Sequence, residues 1–516
     1  MPTITDHAIA TPDKPAFIMG STGETVTFGE LDAIANQVAQ LLRASGVQQG
    51  QHIAIMMKNC REFMEIMFGC MRAGVVFTPI STHLKKDETA YIINNCRAQL
   101  FIASASLGDV AAEAAAQAPA LEHCFIVGGE RAGFVDWHST LAEQPSEPIA
   151  DQSLGVPMLY SSGTTGKPKG VFRAPENIDL DAPHPLKLAG AYYGFNTDTI
   201  YLSPAPLYHA APLHYNTLNL IQGGTSVIME RFDPEQALAL IERHKATHSQ
   251  WVPVMFIRML KLPEAVRSKY DVSSMQRAIH AAAPCPIDIK RQMIDWWGPV
   301  ICEYYSSSEG VGFTLIDSED WLNHPGSVGR PLTGIPKILD DNLQELPVGE
   351  VGQIYFAEVV RFEYFDEPGK TDEAFDSRGW GTVGDMGYLD AEGYLYLTDR
   401  KNFMIITGGV NVYPAEIEGL LVTHPKVADV AVFGIPNEEF GEEVKAVVQL
   451  MDHSDASTET AEDLTLWMKE RLASLKVPRS IDFMEQLPRM DNGKLYKRHL
   501  MDACKSVSYT HLRAHE

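Results

Sequence analysis

The sequence lacks three features that would place it in a special class of protein. Its seven cysteines, at positions 60, 70, 96, 124, 285, 302 and 504, include no Cys-x-x-Cys pair. Neither a zinc site nor a disulfide framework is therefore expected, and the thiols should stay reduced. The best candidate for a long apolar run, residues 63–80, is interrupted by Glu65 and Arg72, and the N-terminal region has no signal-like apolar core. We expect a cytoplasmic protein without a membrane span.

Positive charge is also scarce. The chain carries 42 lysines and arginines against 67 aspartates and glutamates, which gives a formal net charge of -25. A nucleic-acid partner requires a basic face, so none is expected. With 516 residues and 45% apolar content, the chain is long enough to form two or more domains with large cores.

What the sequence does contain is a concentrated phosphate-binding pattern. Glycines, hydroxyls and two lysines occur together in Tyr160-Ser161-Ser162-Gly163-Thr164-Thr165-Gly166-Lys167-Pro168-Lys169-Gly170. Glycines let backbone N–H groups turn toward an anion, hydroxyls donate hydrogen bonds, and lysines add charge. Because Lys167 is followed by Pro168 instead of Ser or Thr, this is not a Walker A loop. The apolar runs at 158–160 and 171–172 predict a hairpin-like loop between two strands.

Short apolar runs alternate with amphipathic segments along most of the chain. Thr27-Phe28-Gly29-Glu30 has the form of a capping box and predicts the start of a helix. Apolar runs at 52–56, 225–229 and 247–252 predict strands, and residues 234–244 predict an amphipathic helix. This alternation favours stacked α/β layers.

A domain boundary is expected near Arg400. A strand-rich region ends with residues 393–397, and residues 427–450 and 464–476 are typical of two strands followed by a helix. We therefore predict an N-terminal domain over residues 1–400 and a C-terminal domain over 401–504. Residues 505–516 show no apolar periodicity and are expected to be non-native sequence.

Six motifs, in order, resemble those of the adenylate-forming superfamily, which includes acyl-CoA synthetases, aryl-CoA ligases, firefly-type luciferases and the adenylation domains of peptide synthetases. After the phosphate loop come Tyr305-Ser306-Ser307-Ser308-Glu309, Gly379-Trp380-Gly381-Thr382-Val383-Gly384-Asp385, Asp399-Arg400, Gly408-Gly409-Val410-Asn411-Val412-Tyr413-Pro414 and Asn492-Gly493-Lys494. The resemblance runs from about residue 11 to residue 500. It implies an α/β fold: a large N-terminal domain of stacked layers with a β-barrel-like portion, and a small mobile α+β lid that rotates about the boundary.

The resemblance further implies an ATP-dependent acyl-CoA synthetase. Such an enzyme joins a carboxylic acid to AMP with release of pyrophosphate and then transfers the acyl group to the thiol of CoA. ATP and CoA would be co-substrates, Mg²⁺ the cofactor, and a homodimer is compatible with the family. Because phosphoryl-type transfer needs positioned cations, lysines 167, 169, 494 and 497 and Arg400 are expected to form a positive pocket in a negatively charged protein.

By resemblance, the phosphate loop binds the β- and γ-phosphates of ATP. Its contributing residues would be Ser161, Ser162, Gly163, Thr164, Thr165, Gly166, Lys167 and Lys169. Ser308 would reach the α-phosphate and Glu309 would hold Mg²⁺, which commonly uses one or two carboxylates together with phosphates. The alternative for Glu309 is an ordinary solvated or capping carboxylate.

The adenosine half of ATP is assigned in the same way. Tyr305 would stack on the adenine, with the opposite wall formed by Ala282, Ala283 and Pro284. Asp385 would accept hydrogen bonds from the ribose, with Arg400 beside it. The alternatives are that Tyr305 is a plain core aromatic and that Asp385 and Arg400 form a structural salt bridge.

The remaining assignments concern the lid and the acyl tunnel. Lys494 would contact the carboxylate and α-phosphate as a point charge at the tip of an Asn-Gly turn, in the adenylation step only. His209, in Pro206-Leu207-Tyr208-His209, would lie near the acyl and pantetheine tunnel, in a catalytic or a purely structural role. Gly408 and Gly409 would let the pantetheine arm of CoA pass close to the backbone.

Four positions depart from the usual family pattern. Ser306 and Asp399 replace glycines, Ser308 replaces a threonine and keeps its hydroxyl, and Asn402 occupies the hinge position where Asp or Lys is usual. Ser306 adds a side chain beside the carboxylate pocket, so it is expected to shorten or reshape that pocket.

The acyl pocket is expected to draw on residues 209–215, 254–256, 281–283 and 306–312, which are mostly apolar. A medium- or long-chain fatty acid is the first expectation, while aryl, cinnamyl and sterol-side-chain acids remain open. Three rival functions also remain: a fatty acyl-AMP ligase that donates to a carrier protein, a luciferase-like oxidase, and a non-catalytic nucleotide-binding protein. The presence of Lys494 and Glu309 argues against the last.

Overall fold

A computed structural model of the chain describes residues 3–161, 168–174, 178–400, 403–407, 410–437, 439–489, 495, 497 and 500–501. The helices in these residues are α1 Ile4–Ala10, α2 Phe28–Ala44, α3 Arg61–Arg72, α4 Lys86–Asn95, α5 Gly108–Ala115, α6 Trp137–Ala142, α7 Lys187–Tyr193, α8 Ala210–Ile221, α9 Pro234–His244, α10 Pro253–Leu260, α11 Glu264–Arg267, α12 Ile287–Trp297, α13 Ser318–Asn323, α14 Pro368–Glu373, α15 Pro414–Leu421 and α16 Thr458–Lys469.

The strands are mostly short and are distributed over the whole described chain. They are β1 Pro15–Met19, β2 Thr25–Thr27, β3 His52–Met56, β4 Val76–Pro79, β5 Leu100–Ser104, β6 His123–Val127, β7 Val135–Asp136, β8 Leu159–Ser161, β9 Lys169–Phe172, β10 Ile200–Ser203, β11 Thr225–Ile228, β12 His248–Trp251, β13 Arg277–His280, β14 Ile301–Tyr305, β15 Phe313–Ile316, β16 Ser327–Thr333, β17 Ile335–Leu339, β18 Gly352–Ala357, β19 Glu363–Tyr364, β20 Asp385–Leu389, β21 Leu395–Arg400, β22 Ile405–Thr407, β23 Val410–Val412, β24 Val427–Asn437, β25 Gly441–Leu450 and β26 Ser480–Phe483.

Local sequence signals account for several of these elements. Thr27 caps α2, because its side chain accepts a hydrogen bond from the Glu30 amide while Glu30 accepts one from the Thr27 amide. Helix α9 begins with Pro234 at its first position and is capped by Asp233. The predicted capping box, the helix at 234–244 and the strand at 52–56 are therefore confirmed.

Three sheets form the layers before Arg400. The largest has thirteen strands in the order β17-β18-β20-β21-β16-β15-β14-β13-β12-β10-β11-β1-β2, and its run from β14 to β1 is parallel. A second sheet of five parallel strands has the order β4-β3-β5-β6-β7. A small antiparallel sheet, β19-β9-β8, contains the strands around the phosphate loop. The stacked α/β layers are confirmed.

The portion that was expected to resemble a barrel is an open sheet in the described residues. Strands β15 to β18, β20 and β21 are antiparallel and continue one edge of the largest sheet. Because β16 pairs with both β15 and β21, this antiparallel part is joined to the parallel core and does not close on itself.

A separate sheet follows β21. It has the order β23-β22-β25-β24, with β26 parallel to β25; helix α15 packs against β24, and α16 packs against α15. The helix expected at 464–476 instead occupies Thr458–Lys469, because Ser457 caps its first turn and the chain then leaves the helix before a 3₁₀ turn at Ser474–Lys476. The predicted boundary at residue 400 falls between β21 and β22.

The described helices include none with both the length and the apolar character needed to cross a membrane.

Candidate active site

The phosphate loop joins two paired strands. Strands β8 and β9 are antiparallel, with Ser161 opposite Lys169, so the described residues on the two sides of the loop are paired with each other. Gly170 lies against the Tyr160 ring, where an added Cβ would come within 3.1 Å of the ring. The predicted hairpin is therefore confirmed at its two flanks.

Lys169, Tyr364 and Glu309 meet next to this hairpin. The Lys169 ammonium lies over the Tyr364 ring, 4.5 Å from its centroid, and the Tyr364 hydroxyl donates to Glu309 Oε1 at 3.0 Å. Partial burial and the nearby Lys370 lower the pKa of Lys169. One aromatic side chain thus holds the predicted phosphate-binding lysine and the predicted metal-binding carboxylate together.

Glu309 is almost buried, at 8% exposure, and the described residues contain no cluster of three or more potential metal ligands. A cation at Glu309 would therefore take its other ligands from phosphates and water, which is how Mg²⁺ commonly binds. Of the neighbouring serines, Ser308 is exposed, while the Ser306 hydroxyl donates to the Gly312 carbonyl at 2.8 Å.

Tyr305, Asp385 and Arg400 form a second group of contacts. The Tyr305 hydroxyl donates to Asp385 Oδ2 at 2.8 Å, and Arg400 Nε donates to Asp385 Oδ1 at 3.0 Å. Asp385 and Arg400 are opposite each other on β20 and β21. Burial, and then the Asp385 carboxylate, raise the pKa of Tyr305, so its hydroxyl remains a donor. Asp385 and Arg400, the two residues assigned to ribose, thus form an ion pair. Tyr305, the residue assigned to adenine, is hydrogen-bonded to the carboxylate of that pair.

The segment of residues 282–284 follows the carboxyl end of β13, a central strand of the largest sheet. Its three side chains are exposed, and Ala282 has φ +78°, in the left-handed region that a residue with a Cβ rarely adopts. Such a conformation costs about 1–3 kcal/mol and persists only where the surroundings enforce it. The segment and Tyr305 leave neighbouring parallel strands at their carboxyl ends, where ligands bind in open α/β sheets.

His209 lies at the start of α8, as its N-cap residue. Its ring packs against Tyr208, with centroids 4.5 Å apart. Helix α8 then carries Tyr215, which contacts Tyr304, the neighbour of Tyr305 in β14. The structure therefore connects the His209 segment to the Tyr305 segment through one pair of aromatic side chains.

One member of the expected positive pocket is already paired. Lys497 Nζ lies 2.7 Å from Glu418 Oε1, a carboxylate whose pKa is raised by burial. Its ammonium compensates this partly buried carboxylate within the lid, and its membership of the positive pocket stays a prediction. Lys169 and Arg400 are the described members that lie at the site.

Ten predicted site residues lie outside the described residues. They are Ser162, Gly163, Thr164, Thr165, Gly166, Lys167, Asn402, Gly408, Gly409 and Lys494.

Two residues at the site were missed in the sequence. Tyr364 comes from β19, which pairs with β9 beside the phosphate loop. Arg173 extends from the end of β9 and donates to the carbonyls of Glu309 and Val360 at 3.3 and 3.2 Å. The aromatic run Phe362-Glu363-Tyr364-Phe365 was a signal for a buried strand, but its pairing with a strand almost 200 residues away has no local signature.

Comparison with known proteins agrees with this arrangement. The family model described as AMP-binding enzyme matches residues 4–359, and that of the AMP-binding enzyme C-terminal domain matches 416–494. A long-chain-fatty-acid–CoA ligase, FadD13 of Mycobacterium tuberculosis, is 32% identical over 95% of both chains. A fatty acid–[acyl-carrier-protein] ligase, ScoC of Streptomyces coeruleorubidus, is 31% identical over 97% of this chain and 95% of its own.

Solved structures show the same fold. The anthranilate CoA ligase AuaEII in complex with anthranoyl-AMP superposes with a TM-score of 0.83 at 25% identity, covering 99% of this chain and 98% of that one. The chain therefore belongs to the family of AMP-binding enzymes. The predicted membership of the adenylate-forming superfamily and the predicted class, an ATP-dependent acid–thiol ligase of the acyl-CoA synthetase type, are confirmed.

Proposed function

We propose that this chain converts a monocarboxylic acid to an acyl-AMP and then to an acyl-CoA, with the residues described above in the roles that the family resemblance assigns. The observation that carries the proposal is the convergence of Lys169, Glu309, Tyr305, Asp385 and Arg400. They come from four strands, β9, β14, β20 and β21, and from the β14–β15 connection, yet they lie in two contact groups that this short connection joins. These side chains suit a nucleoside triphosphate. Lys169 supplies positive charge for the phosphates, and the carboxylate of Asp385 supplies hydrogen-bond acceptors for the ribose hydroxyls.

The chain's contribution to the first half-reaction would be electrostatic. Lys169 would contact the phosphates, Glu309 would hold Mg²⁺ together with them, and Asp385 would accept hydrogen bonds from the ribose hydroxyls. Bound Mg²⁺ supplies neutralisation of phosphate charge as pyrophosphate leaves. Lys494, brought in by the lid, would compensate the negative charge of the attacking carboxylate and the α-phosphate.

The first half-reaction can be tested without CoA. Because adenylation is reversible, the purified protein should exchange labelled pyrophosphate into ATP only when a suitable carboxylic acid is present. Absence of exchange with every member of a panel of fatty, aryl and sterol acids would contradict the proposed adenylation.

The leading candidate for the acid is a medium- or long-chain fatty acid. The support is the apolar character of residues 254–256 and 281–283 and the absence of Arg or Lys from the four predicted pocket segments. FadD13, the relative named as a long-chain-fatty-acid–CoA ligase, points the same way.

An aryl acid is the second candidate, and the packing around α8 favours it. Tyr215 is fully buried and lies within 6.4 Å, centroid to centroid, of four aromatic rings. Tyr304 in turn stacks on Phe313 at 5.0 Å. These rings fill the space next to Tyr304, and such packing leaves less depth for an alkyl tail than for a single ring. AuaEII, solved with anthranoyl-AMP, is an aryl-acid relative of the same fold.

The variant Tyr215→Leu tests whether this aromatic packing limits the depth of the acyl pocket. Removing the ring creates depth, so the ratio of kcat/KM for decanoate to that for benzoate should rise about tenfold, the effect of about 1.4 kcal/mol. Steady-state assays with both acids measure this ratio. Phe101→Leu, a buried aromatic in the five-stranded sheet, is the control for general loss of packing. An unchanged ratio in Tyr215→Leu would exclude Tyr215 from the pocket.

The acceptor in the second half-reaction is proposed to be the thiol of CoA. The Gly408-Gly409 pair supports this choice, since glycines permit close passage of the pantetheine arm. ScoC, a relative aligned over 97% of this chain, is named for a carrier protein, so the acceptor assay should include both thiols. We also propose the domain limits 1–400 and 401–504. A homodimer, which size-exclusion chromatography would check, and a cytoplasmic location, which cell fractionation would check, are proposed as well.

The lid must turn between the half-reactions, and both ends of helix α15 are held by residues that precede the boundary. Asp399 Oδ2 accepts from the Ala415 amide at 3.1 Å, at the helix N-terminus. Lys261 donates to the carbonyl of Val422 at 3.2 Å, at the helix C-terminus, and to that of Val427 at the start of β24. A carboxylate at the first end and an ammonium at the second are the charges that the helix dipole favours. These contacts would hold one orientation of the lid.

Lys261 gives this contact a pH dependence. Burial lowers the pKa of Lys261 to about 8 from its ordinary value of 10.5. Between these values the unfolded chain binds more protons than the folded one, so this group makes the folded state more stable as pH rises from 8 toward 10.5. The difference in Tm between the parent and Lys261→Met should therefore shift in favour of the parent from pH 8 to pH 10. Lys261→Arg, which stays charged, should lack this shift. A difference that does not vary with pH would contradict the burial of Lys261 at this position.

A further inference from the structure

A buried ion pair lies directly behind the proposed adenine site. Lys290 Nζ, on α12, donates to Glu303 Oε2, on β14, at 2.6 Å. The Lys290 side chain is fully buried and that of Glu303 is 6% exposed. Lys290 also lies 4.8 Å from the centroid of Trp321. Neither charge reaches solvent, and neither takes part in the chemistry proposed above.

Glu303 also lies next to His280. The two residues are opposite each other on the parallel strands β13 and β14, His280 as the last residue of β13 and Glu303 in the middle of β14. His280 Nε2 is 3.5 Å from Glu303 Oε2, and its side chain is fully buried. Burial, and then Lys290, lower the pKa of His280 well below its ordinary value, so its ring is neutral. One carboxylate therefore contacts the last residue of β13 and a residue in the first turn of α12.

His280 and Lys290, the two residues that contact Glu303, lie on either side of the strained segment in the sequence. Residues 281–286 connect β13 to α12, and they include Ala282 with its φ of +78°. His280 directly precedes this connection, and Lys290 follows it by one helical turn. Tyr305 lies two residues after Glu303 on the same strand. The Lys290–Glu303 pair thus links the first turn of α12, which follows the 281–286 connection, to the strand that carries Tyr305.

Stability alone does not account for a pair of this kind. Two buried charges lose their hydration, and apolar residues of similar size often give an equally stable or more stable protein. A fixed ion pair does, however, restrict the relative positions of the elements that carry it. Ala282 needs such restriction, since its conformation relaxes unless its surroundings hold it.

We infer that Glu303, held by Lys290, is a positioning residue that sets the distance between the 282–284 segment and Tyr305 and thereby selects for the adenine of ATP. This inference rests on the proposed function, because it takes the space between these two elements to be the adenine pocket. Glu303 itself touches no substrate. Its role is to keep the two walls of the pocket in register.

The test removes both charges at once. The double variant Lys290→Met/Glu303→Gln leaves no unpaired buried charge, so it should fold, whereas Glu303→Gln alone leaves the ammonium uncompensated. We expect the double variant to show a KM for ATP raised about tenfold, with kcat at saturating ATP and KM for the acid within about threefold of the parent. Equilibrium binding should show the same loss for ATP and none for inorganic tripolyphosphate, which has no base.

The matched control is a buried ion pair away from the site. Arg72 donates to Asp32 Oδ1 at 2.5 Å, between α3 and α2, with side chains 5% and 19% exposed. Arg72→Met/Asp32→Asn should leave the ratio of ATP to tripolyphosphate affinity unchanged, whatever its effect on Tm. A double variant at 290 and 303 with an unchanged ratio overturns the inference. A parent protein that binds no ATP contradicts the proposed function instead, so the two failures are distinguishable.

Discussion

The variant Glu309→Gln should lose at least about 10²-fold in the rate of acyl-AMP formation, the loss typical of one preorganised electrostatic group. Glutamine has nearly the same shape, and it can still accept the hydrogen bond from the Tyr364 hydroxyl, which lies 3.0 Å from Glu309 Oε1. Only the negative charge is removed. Because the proposed Mg²⁺ site depends on that charge, the apparent affinity for Mg²⁺ should also fall. Single-turnover assays over a Mg²⁺ titration measure both effects.

Tyr364→Phe is the matched control for this variant. It removes the hydroxyl that contacts Glu309 but keeps the ring over which the Lys169 ammonium lies. We expect adenylation to fall by less than about tenfold, since one hydrogen bond contributes about 0.5–1.5 kcal/mol. A Glu309→Gln enzyme as active as Tyr364→Phe would show that Glu309 is an ordinary buried carboxylate.

The second large effect is expected from Lys494→Ala. The proposal places this lysine at the carboxylate and α-phosphate in the first half-reaction only. Its loss should slow adenylation by about 10²- to 10³-fold, while thioester formation from supplied acyl-adenylate and CoA should stay within a few-fold of the parent. The two half-reactions are measured separately, by pyrophosphate exchange and by release of AMP from the adenylate.

Lys476, a lysine of the C-terminal domain with no proposed catalytic role, provides the control for Lys494→Ala. Lys476 forms a partly exposed ion pair with Glu416 at 2.7 Å, and exposed pairs of this type contribute little to stability. Lys476→Ala should therefore leave both half-reactions near the parent rate. If Lys494→Ala slowed both half-reactions equally, its assignment to the first step would be wrong.

Local signals predicted the elements that depend on neighbouring residues. The Thr27 to Glu30 capping box and Pro234 define helix starts through contacts within one turn. The apolar runs on either side of the phosphate loop form the paired strands β8 and β9. Motif order then brought Glu309, Tyr305, Asp385 and Arg400 into one expected site, and they do lie in two connected contact groups.

Other features depend on pairings that no local pattern encodes. The open antiparallel edge of the large sheet arises because β16 bridges β15 and β21, which are separated by about 80 residues. Lys497 was predicted as one of the cations of the positive pocket, and its ion pair with Glu418 from α15 could not be read from the sequence. Asp399 stood out only as a departure from glycine, and its contact with the Ala415 amide emerges from the folded lid. Charge partners across long sequence separations are the part that sequence patterns miss.

The most direct test of the account is mass spectrometry of the products formed by the purified protein from Mg-ATP and a mixed panel of fatty, aryl and sterol acids, with and without CoA. The account predicts AMP and one class of acyl-CoA when CoA is present, and enzyme-bound acyl-AMP when it is absent. Acyl-AMP that accumulates to the same level with CoA as without it would contradict the acyl-CoA synthetase assignment.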